Sequence, residues 1–173
     1  VVNPDGVVQR HGADALRVYE MFMGPLEASK PWNESGVEGI TRFLNRVWRL
    51  IANDDGTLSN AVKDVECSPE LNYVLNYTIK KVGEDIENLS MNTAIAQMMI
   101  FTNEFTKAEE RSKRALKAFL QCLAPFAPHL TEELWSILGE NQSIHLAKFP
   151  PYDESTLIRN EVEIILQVNS KIK

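Results

Sequence analysis

The run GVEGITRFLNRVWRLI, residues 36–51, constrains this chain more than any other stretch, because as a helix it presents two faces with opposite needs. At about 100° per residue, Ile40, Phe43, Leu44, Val47, Trp48 and Ile51 gather on one side. Arg42, Arg46 and Arg49 form an edge on the other. An apolar stripe this wide has to be covered by further elements, so the helix predicts partners of its own kind.

Those partners are legible. Gly12 or Asp14 starts a helix that carries Leu16, Tyr19, Met21 and Phe22 and ends at Gly24-Pro25. Ser35 is the expected cap of the 36–51 helix, and Asn53-Asp54-Asp55-Gly56 closes it. Ser68-Pro69-Glu70 starts a third, since serine caps free amides and proline suits the first turn. Leu71, Val74, Leu75, Ile79, Val82, Ile86 and Leu89 then keep helical spacing. Asn92 is the expected cap of a fourth, with Ile95, Met98, Met99, Thr102 and Phe105. A fifth runs from about Lys107 to Ala124 and stops before Pro125, which pushes its predecessor out of helical dihedrals. Pro128 opens a shorter sixth that ends at Gly139. Val162 to Val168 alternates apolar residues as a strand does. One strand makes no sheet alone, so its domain is expected to continue beyond Lys173. The fold class expected is all-α, a helical bundle, with a C-terminal strand that starts a truncated α/β domain.

Charge narrows the function. With 24 acids against 18 bases the formal charge is −6, so any polyanion site has to be a local patch. Cys67 and Cys122 lie far apart and outside any CxxC spacing, which signals neither a disulfide framework nor a zinc site and fits the cytoplasm. No apolar run approaches the roughly 20 residues that span a bilayer, and the start Val1-Val2-Asn3-Pro4-Asp5 lacks a signal peptide's regions, so no membrane partner is expected. A start without Met and an end inside a strand-like run suggest part of a longer protein.

Among the candidate sites, the arginine edge stands out by its pairing. Glu38 sits four residues before Arg42, but Arg46 follows Arg42 and Arg49 follows Asn45, which leaves two guanidiniums without an acid one turn earlier. Aligned, unneutralised arginines suit phosphates, which they bind bidentately. A second basic stripe, Lys107, Arg111, Arg114 and Lys117, reads as a salt-bridged surface, because Glu109 and Glu110 stand four before Lys113 and Arg114. His129 with Glu132 and Glu133 has helical spacing for a divalent metal, but Glu in a first turn also suits the helix dipole, and the reading is structural. His11 and His145 are isolated, Trp48 and Trp135 read as core, and Trp32 in a loop is open to either reading. GxGxxG, a phosphate loop, GxSxG and HExxH are all lacking, so no catalytic residue, cofactor site or metal site is expected in these residues.

Several segments together resemble a bacterial-type leucyl-tRNA synthetase, a class I enzyme, in the region after its catalytic domain. They are VVNPDGVVQRHGADALRVYEMF, PWNESGVEGITRFLNRVWRL, LNYTIKKVGEDIENLSMNTAIAQMM, LAPFAPHLTEELW and VEIILQVNSKIK. GADALR and APHLTEELW are shared with valyl, isoleucyl and methionyl relatives; the SGVEG-RFLNRVW run and the QVN ending point to leucine. The resemblance implies that the KMSKS loop lies just before Val1, with the HIGH motif, the leucine pocket and the editing domain further upstream. It implies that residues 1–35 connect from the catalytic domain, that 36–157 form the helical anticodon-binding-type domain, and that 158–173 start a small C-terminal domain. These residues would then be inactive alone, while the parent ligase uses ATP and Mg2+ to attach leucine to tRNA(Leu). Leucyl enzymes generally do not depend on anticodon bases, so the domain is expected to grip the tRNA backbone. Arg42 and Arg46 match the family's tRNA-contacting helix, and Arg49 is added on helical register. The partners implied are tRNA(Leu) and the catalytic, editing and C-terminal domains of the parent chain. A helical protein-interaction module with a cationic edge is the alternative from a different class.

Overall fold

The structure, a computed structural model, describes residues 2–158, 167–168 and 171–172. Seven α-helices occur among them: α1 (Pro4–His11), α2 (Ala13–Phe22), α3 (Glu34–Ile51), α4 (Pro69–Glu87), α5 (Met91–Thr106), α6 (Lys113–Leu123) and α7 (Pro128–Ile137). Two short ladders accompany them. β1 (Val62–Lys63) pairs in parallel with β2 (Arg111–Ser112), and β3 (Gln167–Val168) pairs antiparallel with β4 (Lys171–Ile172). The bundle expected from helical periodicity is therefore the fold.

Local chemistry sets the boundaries. Asn3 accepts from the Asp5 amide and Pro4 sits in the first turn, so α1 forms where only an opening stretch was read; Gly12 at φ 87° then breaks it from α2. In α3 the cap is Asn33 rather than Ser35, because the helix begins two residues earlier and the Asn33 side chain accepts from the Ser35 amide. Ser68 caps α4 as expected, accepting from Leu71 N. Ser90, not Asn92, occupies the cap position of α5. There the chain turns through Leu89 at φ 57°, and Ser90 N donates to Asp85 O at 2.7 Å. Asp85 also receives Lys81 Nζ and Thr93 Oγ1, which fixes the α4–α5 hairpin.

The fifth predicted helix starts six residues late. Residues 107–112 leave helical geometry because Arg111 N donates to Ala61 O and the strand pairs Val62 with Arg111. Strand residues Gln167 and Val168 find their partner within this chain, in Lys171–Ile172; residues 162–166 of the expected strand lie outside the described residues.

Packing follows from the stripes. Phe43, Val47 and Val37 of α3 are fully buried, as are Phe101 and Phe105 of α5 and Phe119 of α6. Phe101 stacks on Phe105 at 4.0 Å and on Phe119 at 4.2 Å between ring centroids, which joins α5 to α6 through the centre. α2 and α7 both pack on α3, so its greasy face is covered and its arginine edge is left outside.

One close approach depends on glycine. A β-carbon at Gly36 would lie 2.5 Å from Cε2 of Tyr19, whose ring is held by the Asn33 amide at 3.0 Å and edge-on by Trp32. At Gly39 the nearest atom is the flexible Nη2 of Arg42, at 3.8 Å. Gly36→Ala is therefore expected to destabilise by about 1–3 kcal/mol, while Gly39→Ala stabilises by up to about 1 kcal/mol. Urea unfolding of the two variants checks both signs.

Candidate nucleic-acid interface

Helix α3 positions the arginine edge. Phe43 and Val47 anchor the helix in the core, so the residues beside them in register are forced outward, and Arg42, Arg46 and Arg49 are all exposed. None of the three makes an ion pair among the described residues, and Glu38, four before Arg42, does not close on it. Other cations are neutralised locally: Arg10 by Glu34, Lys81 by Asp85, Lys107 by Glu104 and Lys117 by Glu140. The edge is thus a positive strip on an acidic molecule, with donor forks free for anions.

The second basic stripe does not exist as one face. Lys107 and Arg111 precede α6, so the helical pairing of Glu109 and Glu110 with Lys113 and Arg114 is not formed. Arg114 instead approaches Glu66 at 3.8 Å, both highly exposed. Arg111 turns inward. Its Nη1 donates to Leu50 O at 3.1 Å and Arg49 O at 3.3 Å, and its Nε to Phe105 O at 3.1 Å, so one guanidinium closes the carbonyl ends of α3 and α5. Partial burial lowers its pKa from the ordinary value.

Two distant motifs meet on the other flank of α3. Asp14, nearly buried in α2, accepts from Leu130 N at 2.8 Å through Oδ2, and its Oδ1 lies 2.8 Å from His129 Nδ1. Residue 127, at the cap position of α7, is alanine and supplies no side-chain bond, so Asp14 caps that helix from another element. GADALR and APHLTEELW are thereby joined by one carboxylate. Glu132 is committed elsewhere, accepting from Ser143 Oγ and Ile144 N, and Glu133 is exposed. His129, Glu132 and Glu133 therefore do not converge, and no group of three metal-ligating side chains occurs among the described residues.

Beside this junction lies a cleft of about 210 Å³ lined by His11, Asp14, Ala15, Thr41, Leu44, Asn45, Trp48 and Leu130. Sequence reading placed Trp48 in the core. The indole is half-buried, its Nε1 donates to Asn53 O at 3.2 Å, and one side borders the cleft. Trp135 is buried as expected, with Nε1 donating to Gln142 O. Trp32 packs edge-on against Tyr19 at 5.0 Å. His145 is exposed on a 3-10 turn (Ile144–Leu146). His11 is not isolated in space: its Nδ1 lies 3.3 Å from Thr41 Oγ1. Arg17 of α2 is exposed and likewise without an ion pair among the described residues, a cation that sequence reading did not single out. Burial pushes the thiols of Cys122 and Cys67 up, which keeps both in the unreactive form.

The Asp14 cap gives a stability prediction. Asp14→Ala leaves the Leu130 amide without its acceptor and should cost about 1–3 kcal/mol. Asp14→Asn keeps a carbonyl oxygen there and should lose less. Urea unfolding of both variants checks the order.

Comparison with known proteins extends this geometry. A family model described as the anticodon-binding domain of tRNA ligase matches residues 70–173. A leucine–tRNA ligase of Rhodopirellula baltica (strain DSM 10527 / NCIMB 13988 / SH1) is 54% identical over 176 residues, covering 100% of this chain and 18% of the relative. The chain thus spans under a fifth of that relative's length. The fold also matches a solved structure of the ternary complex of Agrobacterium radiobacter K84 agnB2 LeuRS-tRNA-LeuAMS. There the TM-score is 0.74 and the identity 30%, over 100% of this chain and 24% of that one.

Proposed function

The chain belongs to the family of anticodon-binding domains of tRNA ligases, and from that premise we propose that it docks tRNA(Leu) for a leucine–tRNA ligase. The observation that carries this is the unneutralised edge of Arg42, Arg46 and Arg49 on a helix fixed by the core, in a chain 54% identical to part of a leucine–tRNA ligase. Guanidiniums in a row, held by a rigid helix, grip successive phosphates without reading bases. The matched solved structure holds tRNA, which supports the ligand class. The 54% identity favours leucine over the valyl, isoleucyl and methionyl relatives.

In this reading the domain orients the tRNA so that its 3′ end reaches a catalytic site carried by other residues of the parent protein. ATP, with Mg2+, supplies the energy for leucine attachment there. Residues 1–35 act as the connection from the catalytic domain, 36–157 as the docking body and 158–173 as the start of a C-terminal domain. The partners are tRNA(Leu) and the catalytic, editing and C-terminal domains. The site of action is the cytoplasm; among the described residues no helix is long and apolar enough to cross a membrane.

The test is a salt titration of tRNA(Leu) binding by the full-length protein. Arg42→Ala with Arg46→Ala should weaken binding on the order of 10- to 30-fold near physiological salt and make the log–log salt slope shallower by about 1.5–2. Leucine-dependent ATP–pyrophosphate exchange should stay intact. An unchanged salt slope would contradict the proposal.

A further inference from the structure

We infer that the cleft between α2, α3 and α7 receives one unstacked base of the RNA whose backbone lies on the arginine edge. This rests on the RNA-docking reading and adds a site to it. Taking Thr41 of α3 as zero, Asn45 lies at about 40° around the helix, Arg49 at about 80°, Arg42 at about 100° and Arg46 at about 140°. The cleft wall and the arginine edge are therefore adjoining strips of one helix. A backbone held on the edge has its nucleosides within reach of the cleft.

The lining fits a base. The floor is apolar, made by Ala15, Leu44 and Leu130, and Trp48 supplies an aromatic wall whose indole is held in place by its bond to Asn53 O. Polar groups sit around it with capacity to spare. The Asn45 side chain is exposed and makes no hydrogen bond among the described residues, so its carboxamide offers both a donor and an acceptor. The Thr41 hydroxyl lies 3.0 Å from Val37 O and 3.3 Å from His11 Nδ1, and Nε2 of His11 has no partner among the described residues, so the imidazole keeps one ring nitrogen uncommitted. An aromatic face with hydrogen-bonding groups beside it is how proteins take unstacked RNA bases. At about 210 Å³, the cleft is below the roughly 300–1,000 Å³ of drug-sized ligand pockets, which suits one ring system.

Asn45→Ala is the variant of choice, since the residue is exposed and alanine favours the helix, whereas removing Trp48 would disturb packing. In the full-length protein it should weaken tRNA(Leu) binding roughly fivefold with no change in salt slope. A scan of tRNA(Leu) with single abasic replacements should find one unpaired position whose base contributes roughly 5- to 100-fold. The loss at that position should be smaller in Asn45→Ala than in the unaltered protein, as coupled contacts require.

Wild-type affinity in Asn45→Ala, or strict additivity at every abasic position, would overturn the inference. So would binding of free AMP that depends on Asn45 with no coupled position in the RNA, which would assign the cleft to a mononucleotide. If either result came with a flattened salt slope in Arg42→Ala, Arg46→Ala, the cleft alone would fail and the docking reading would stand. An unchanged slope in that double variant would remove both.

Discussion

One nearly buried carboxylate holds the working part of this molecule together. Asp14 reaches from α2 to the Leu130 amide in the first turn of α7 and takes His129 with its other oxygen. Both of those helices pack on α3. The Asp14 bond thus ties together two of the helices against which α3 rests, while the buried face of α3 sets the direction in which its arginines point. A helix N-terminus without its own cap is a good place for such a closure, because free amides and the positive end of the dipole favour an anion. The pairing also explains why two motifs separated by most of the chain act as one feature.

Around that junction, charge is distributed by function rather than by composition. Arg111 has its guanidinium spent on four backbone carbonyls, where it closes two helix ends. Lys81, Lys107 and Lys117 are spent on neighbouring carboxylates. The α3 edge is left unspent, and an overall net charge of −6 does not cancel a local strip at contact distance. The strip holds charge without shaping it to any base, whereas the cleft beside it has shape and hydrogen-bonding groups, with one carboxylate, Asp14, tied to α7. In the proposed reading they divide the work that RNA recognition usually divides, backbone positioning on one side and base contact on the other.

Much of this was legible in the sequence. The amphipathic pattern of 36–51 specified both the buried face and the arginine edge, because helical register is a local property. Ser68-Pro69 and Pro128 marked helix starts for equally local reasons. The run 107–112 misleads because Lys107, Ala108, Glu109, Glu110 and Arg111 favour a helix, yet pairing with residues 61–63 takes it out of one; such pairing is invisible to propensity. Asn33 and Ser35 are both good caps, and only the two extra helical residues decide between them. The cleft was not legible at all. His11, Thr41 and Leu130 come from three separated segments, and Trp48 sits at the border of the apolar face rather than inside it.

The central claim is that Arg42 and Arg46 hold phosphates, and the most direct measurement is ethylation interference on tRNA(Leu) with the full-length protein. Ethylating a phosphate removes its charge at one known nucleotide. The account predicts a short set of interfering phosphates for the unaltered protein, and loss of interference at some of them, and only those, in Arg42→Ala, Arg46→Ala. An interference pattern identical in the two proteins would contradict it.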